Sequence, residues 1–166
     1  MKQLPRMMVF LPFGTDQARA IRAAGRSDDQ LPAFAATGRM ISAHGYRPDE
    51  REDADYAAQS YASVACLPSA TDDRRLVVAA EVPIARVRDR QTDADYGAIT
   101  IAGLDWSDAT AVFVDAPEAT AAVRTAKKAL ASATDDSLAA ILELPEIIAL
   151  TDDHELLWHT PDENWT

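Results

Sequence analysis

The sequence predicts an α+β fold: a mixed β-sheet with helices packed mainly on one face, on a ferredoxin-like plan with a C-terminal β-hairpin. Short apolar runs of strand length occur at 7–11, 75–82 and 111–114 and end at turn residues or charged residues. Alanine-rich stretches with apolar residues at helical spacing lie between them. The order strand then helix occurs twice, at 8–24 and 111–131, which favours helices stacked on a sheet.

The size and composition of the chain predict one globular domain. Its 166 residues are 48% hydrophobic and 26% charged, which is typical of a globular protein. A domain of this size buries roughly 70% of the surface of its unfolded chain, so it can fold without metals or disulfides. We predict a single domain over 1–166, with flexible ends at 1–6 and 160–166.

The first elements are bounded by clear turn signals. A buried strand over Met7–Leu11 is followed by a turn, and Thr15 and Asp16 are predicted to cap a helix that Gly25 ends. A polar loop is predicted next, and then a second strand and a short helix, over the ranges 26–30, 32–37 and 39–44.

The longest predicted helix runs from Asp49 to Leu67 and begins with acidic residues, which a helix N-terminus favours. Its predicted packing stripe is Ala54, Ala58, Tyr61 and Ala65. A strand at 75–82, a polar loop at 84–96 and strands at 98–101 and 111–114 follow. The residues predicted to be buried in the sheet are Val9, Leu11, Val77, Ala79, Val112 and Val114.

Asp115 and Glu118 resemble a capping box that opens a further helix. The apolar stripe of that helix is Ala119, Val123, Ala126 and Leu130. A shorter helix is predicted over 135–144, where Pro145 ends it. Two apolar runs, 147–150 and 155–158, flank a polar turn and are predicted to form the C-terminal hairpin.

The acidic charge is concentrated towards the C-terminus. The net charge is −11, and residues 133–166 contribute nine carboxylates and neither Lys nor Arg. Such a surface repels nucleic-acid phosphates and anionic membranes, and it favours encounter with a basic protein partner. Solubility alone is the alternative explanation. The oligomeric state is left open.

The cysteine content and hydropathy of the chain predict a cytoplasmic protein. Cys66 is the single cysteine, so no intramolecular disulfide can form, and its apolar neighbours predict a buried thiol. The chain has no apolar run long enough for a membrane span, and its N-terminus lacks the apolar core of a signal peptide.

The sequence contains no complete catalytic or cofactor motif. His154-Glu155 resembles the start of a zinc-protease motif, but Trp158 occupies the position of the second histidine, and His159 follows one residue too late. No nucleophile elbow, phosphate loop or dinucleotide fingerprint occurs. We therefore predict no catalytic residue and no cofactor.

One pattern favours an alternative, a small metal-dependent enzyme. The run 49–55 holds five carboxylates, and on a helix Glu52 with Asp55, or Asp49 with Asp53, would share a face. Such oxygen clusters suit divalent cations, with His154 or His159 as a further ligand. A solvated acidic first turn explains the same pattern without a metal.

A candidate interaction surface lies in the C-terminal segment and comprises Glu155, Trp158, Asp162, Glu163 and Trp165. Aromatic anchors supply much of the energy of protein interfaces, and flanking carboxylates would steer a basic partner. The alternative is that Trp158 packs on the core while Trp165 frays. The leading prediction is therefore a non-enzymatic protein-interaction or regulatory protein.

The chain also resembles a family of small actinobacterial proteins classed only as a domain of unknown function. The resemblance runs in order from Met8 to Trp158. It rests on the segments Met8–Pro12, Ala33–Thr37, Glu52–Ala58, Arg74–Pro83, Val114–Asp115 and Asp153–Trp158. It implies a cytoplasmic actinobacterial protein and assigns no activity to any residue.

Overall fold

The computed structural model describes residues 5–165, which form seven strands and six helices. The strands are β1 (Arg6–Phe13), β2 (Arg26–Phe34), β3 (Leu76–Pro83), β4 (Val87–Asp89), β5 (Ala98–Asp105), β6 (Ala109–Val114) and β7 (Leu157–His159). The helices are α1 (Thr15–Ala24), α2 (Gly38–His44), α3 (Arg51–Ala65), α4 (Thr120–Ser132), α5 (Leu138–Ile141) and α6 (Pro145–Asp153). The predicted α+β class is confirmed.

The strands form one sheet in the order β4-β5-β2-β1-β3-β6-β7. Every registered pair is antiparallel, so the expectation of a mixed sheet is corrected. In a ferredoxin-like plan the strands that flank a helix run parallel, whereas β1 and β2, which flank α1, are antiparallel neighbours. The relative direction of β1 and β2 therefore differs from that plan.

The sheet consists of two well-paired parts that meet at one position. Strands β1 and β3 share eight registered pairs, but β1 and β2 share only Phe10↔Phe34. The short turn between β5 and β6 forms a second connection between the two parts. Its Trp106 amide donates to the carbonyl of Gly25 at 2.9 Å, and its Asp108 pairs with Arg6 at 3.0 Å.

Both faces of the central strands are buried, because alternate side chains point to opposite sides of the sheet. Val9 and Leu11 of β1 lie in one apolar cluster with α1, whereas Phe10 lies in a second cluster with the other helices. Of the six helices in residues 5–165, five pack on this second face, as predicted. All six residues predicted to be buried in the sheet are at most 4% exposed, namely Val9, Leu11, Val77, Ala79, Val112 and Val114.

Two predicted loops are strands. Residues 26–30 are polar because this part of β2 is exposed, yet they extend the pairing with β5, with Arg26 opposite Asp105. Within 84–96, Val87–Asp89 adds the edge strand β4 to β5. Backbone hydrogen bonds to a neighbouring strand override the low strand propensity of polar residues.

Helix boundaries follow the predictions at some positions and differ at others. Gly25 ends α1 in the left-handed conformation with φ of 83°, as expected of a C-terminal glycine. Thr15 does not cap this helix: its N-cap is Gly14, and the Thr15 hydroxyl donates to Asp72 at 2.7 Å. Asp115 is not a cap either, since its carboxylate binds Arg75.

The predicted C-terminal hairpin is wrong. Residues 145–153 form α6, in which Pro145 occupies the first turn and Ile147 and Leu150 are buried. Their spacing of three residues is helical, and Pro is favoured at a helix start. The predicted helix over 135–144 is reduced to α5, and β7 pairs with β6 instead of with a hairpin partner.

Candidate interaction surface

Strand β7 lies at one end of the sheet and carries two exposed apolar side chains. Leu157 is 49% exposed and Trp158 is 59% exposed. Leu157 is opposite Val114 of β6, and Trp158 is opposite Phe113. Neighbouring residues of a strand face opposite sides, so the two side chains flank the strand. We take Leu157 and Trp158, which lie on the two sides of this terminal strand, as the centre of the candidate contact surface.

A buried ion pair fixes the chain just before β7. Arg75 and Asp115 are 2% and 1% exposed, and two parallel hydrogen bonds join them, Nε to Oδ2 at 2.9 Å and Nη2 to Oδ1 at 2.7 Å. The Arg75 amide also donates to Oδ2, at 2.8 Å. The Nη2 group donates further to the carbonyl of His154 at 2.7 Å. Arg75 therefore ties the start of β3 to the segment that leads into β7.

The segment after β7 folds back onto the core. The Trp165 side chain is 2% exposed, and its indole donates to the carbonyl of Pro161 at 3.2 Å. The guanidinium of Arg22 lies 4.7 Å from the centre of the Trp165 ring, a cation–π contact. Arg22 also donates to the carbonyl of Glu163 at 3.1 Å.

The structure brings four of the five predicted surface residues to the surface and buries the fifth. Glu155, Trp158, Asp162 and Glu163 are exposed, and Glu163 also contacts the His159 imidazole at 2.8 Å. Trp165 belongs to the core cluster that contains β1 and α1. The expected roles of the two tryptophans are corrected: Trp165 packs on the core, and Trp158 is the exposed one. The predicted flexible ends fall partly on residues 1–4 and 166, which lie outside the described residues.

The acidic helix start does not form the cluster that the metal-enzyme alternative requires. Its carboxylates pair with neighbouring arginines: Asp49 with Arg47 at 3.7 Å, and Asp55 with Arg51 at 3.6 Å. Of the two candidate histidine ligands, His159 has its imidazole against the Glu163 carboxylate at 2.8 Å. Within residues 5–165, no group of three or more His, Cys, Asp or Glu side chains is placed to hold a metal ion.

Cys66 is buried, as predicted. It is 1% exposed, and its Sγ donates to the carbonyl of Ser63 at 3.0 Å. Burial raises the pKa of the Cys66 thiol to about 12. A reactive thiol needs a lowered pKa and access to solvent, so Cys66 is a packing residue.

Sequence reasoning missed the Arg75–Asp115 pair that positions this surface. Arg75 precedes an apolar strand and Asp115 directly follows another. Such flanking charges are usually exposed, and the capping-box pattern offered a different role for Asp115. The signal that could have found the pair is the antiparallel register, which places Leu76 opposite Val114 and so makes Arg75 and Asp115 neighbours.

The fold and this surface define a class: an antiparallel α+β protein whose last strand carries an exposed tryptophan. The chain belongs to a family of unknown function, DUF6912, whose model matches residues 7–165. No curated protein and no solved structure matches the chain. None of the helices within residues 5–165 has both the length and the apolar composition needed to cross a membrane.

Proposed function

We propose that this protein is a cytoplasmic, non-enzymatic interaction protein that binds a basic, extended segment of a partner protein along β7. The observation that carries the proposal is the 59% exposure of Trp158 on the last strand of the sheet. Tryptophan is among the residues most enriched at the energetic centres of interfaces, and a monomer gains little by exposing it. The single buried thiol, Cys66, suits a reducing compartment.

The position of β7 favours binding by strand addition. In the described part of the chain, only β6 pairs with it, so its outer edge is available to a further strand. Leu157 and Trp158 would contact an added strand from both faces of the sheet. Edge strands are commonly protected by charge, by proline or by being very short; β7 carries no carboxylate, lysine, arginine or proline within its three residues, and its shortness limits an added strand to a few backbone hydrogen bonds.

The charge around β7 favours a basic segment. Glu155, Asp162 and Glu163 are exposed beside the strand, and residues 133–166 contain neither Lys nor Arg. Three arginines near this segment have partners within the molecule: Arg75 pairs with Asp115, Arg22 lies over the Trp165 ring, and Arg74 donates to the Asp115 carbonyl at 3.1 Å. Carboxylates at the rim would raise the association rate of a positively charged partner.

The proposal is tested by affinity capture from the native cell with the wild-type protein and the Trp158→Ala variant, followed by mass spectrometry. The matched control is Ile84→Ala, because Ile84 is also an exposed apolar residue, 43% exposed, and it follows β3 outside the β7 surface. We expect basic proteins captured by the wild-type chain and by Ile84→Ala to be lost with Trp158→Ala. Equal capture by all three proteins would refute a role for β7.

Binding of synthetic peptides measures the contributions of charge and of apolar contact to this interaction separately. A labelled peptide of alternating lysine and valine should bind the wild-type chain and weaken with salt, whereas a glutamate–valine peptide should not bind. Trp158→Ala should weaken binding of the basic peptide by about 30-fold or more, the loss expected of an interface hot spot. The double variant Glu155→Gln, Asp162→Asn should reduce the salt dependence; an unchanged salt dependence contradicts the assigned charge role.

A further inference from the structure

A cleft of about 390 Å³ lies between the sheet and the ends of α3 and α4, beside α5. Its lining is mainly apolar and includes Phe34 of β2, Leu130 of α4, and Leu138 and Ile141 of α5. The volume falls near the lower end of the roughly 300–1,000 Å³ that is typical of small-molecule sites. None of these residues belongs to the β7 surface, so the cleft is a separate site.

Arg90 is the polar side chain that distinguishes this cleft. It is partly buried and lines the cleft, and within residues 5–165 its guanidinium has neither a hydrogen-bond acceptor nor an ionic partner. The other two arginines of the same segment are engaged. Arg86 pairs with Asp105 at 3.2 Å, and Arg88 donates to backbone carbonyls. A guanidinium carries five donors and stays charged, so partial burial without an acceptor favours an external anion.

Two carboxylates that line the cleft restrict the charge of that anion. Asp93 accepts a hydrogen bond from the Leu138 amide at 3.2 Å, so one of its oxygens is occupied within the protein. Asp136 lies exposed at the rim, where water screens it. They repel an anion in proportion to its charge, so a monoanion that pairs with Arg90 is disfavoured less than a dianion such as phosphate.

We propose that this cleft binds a small apolar monocarboxylic acid. Its carboxylate pairs side by side with the two-pronged guanidinium of Arg90, as carboxylates commonly do. Its hydrocarbon part lies against Leu130, Leu138 and Ile141 and is removed from water there.

Decanoate is the test ligand, with calorimetry on the full chain at neutral pH and below the micelle concentration. Decanol and decyltrimethylammonium have the same apolar chain with a neutral or a positive head group. We expect decanoate to bind more tightly than either. Arg90→Gln should weaken decanoate binding by about ten- to a hundredfold, the worth of a hydrogen-bonded charge.

Arg88→Gln is the matched control, since it removes a positive charge from the same segment without touching the cleft lining. Arg88 is exposed, so water and salt screen its charge, and binding should change by less than about twofold. Ala133→Phe fills the rim of the cleft and should abolish binding while Trp158-dependent capture is retained. The proposal is overturned if decanoate does not bind the wild-type chain at about 1 mM. It is also overturned if Arg90→Gln binds as well as the wild type, or if the cationic ligand binds better.

Discussion

Replacing Asp115 by alanine should destabilise the protein strongly, because it leaves the Arg75 guanidinium buried without its counter-ion. Three hydrogen bonds from Arg75 to the carboxylate are lost, at 2.7, 2.8 and 2.9 Å. Hydrogen bonds to charged groups contribute about 1.5–3 kcal/mol each, so three give an upper bound of about 4.5–9 kcal/mol. Arg75 keeps its bond to the His154 carbonyl and can relax, and broken buried pairs typically cost about 3–5 kcal/mol.

The measurement is urea unfolding of the wild type and of Asp115→Ala, with a parallel thermal scan. For a chain of this length, a loss of about 3–5 kcal/mol lowers Tm by roughly 6–20 °C. Asp28→Ala is the control: Asp28 pairs with Arg26, but both side chains are well exposed, so the free energy of unfolding should change little.

A double variant distinguishes the free-energy cost of the unpaired charge from the cost of the lost packing. Arg75→Met with Asp115→Leu removes both charges and keeps apolar volume in the site, so it should cost less than the sum of the two single substitutions. The reasoning is refuted if Asp115→Ala costs no more than Asp28→Ala, or if the double variant costs the full sum.

Four further outcomes are expected from the buried and paired groups. Trp165→Ala should cost about 3–5 kcal/mol in urea unfolding, because the indole is buried in the core cluster of β1 and α1. Val112→Asp buries an unpaired charge in β6 and should abolish the cooperative thermal transition; an unchanged transition would contradict the strand. Burial raises the pKa of Cys66 to about 12, so the contribution of the neutral thiol to the free energy of unfolding should be complete below the unfolded thiol pKa of roughly 8.5 and decline above it. A thiol reagent should label Cys66 only as fast as the protein opens. Hydrogen bonds from Lys127, and then from Arg124, lower the pKa of Asp73. The pairing therefore stabilises the fold above the unfolded carboxyl pKa, and this stabilisation is lost as pH falls through the lower folded pKa. The difference in unfolding free energy between wild type and Asp73→Asn should shrink on acidification, and a constant difference would argue against the pairing.

The parts of the fold that the sequence predicted are those whose side chains repeat with a clear period. The strands β1, β3 and β6 are apolar runs because both of their faces are buried, and Gly25 marks the end of α1 through its backbone conformation. The polar part of β2 and the edge strand β4 were missed. Their strand conformation depends on hydrogen bonds to β5, and the local sequence does not encode that pairing.

The candidate surface was predicted in part for the same reason. Local sequence identified an acidic, aromatic segment, but it could not decide which tryptophan is buried. Trp165 is buried because it packs in the apolar cluster of β1 and α1, which are far away in the sequence, and Trp158 is exposed because β7 ends the sheet. The hairpin error arose because 147–150 is too short to distinguish a buried helix turn from a strand.

The contact between Arg22 and Trp165 has a consequence for how the chain folds during synthesis. These residues are far apart in the sequence, and Trp165 belongs to the apolar cluster that contains β1 and α1. At roughly 5–20 residues per second, α1 would wait on the order of 10 s after leaving the ribosome before Trp165 could cover its face of the core. During that interval the part of the α1 face that Trp165 covers is exposed, so we expect nascent chains of this protein to bind chaperones that shield apolar surface until synthesis reaches Trp165.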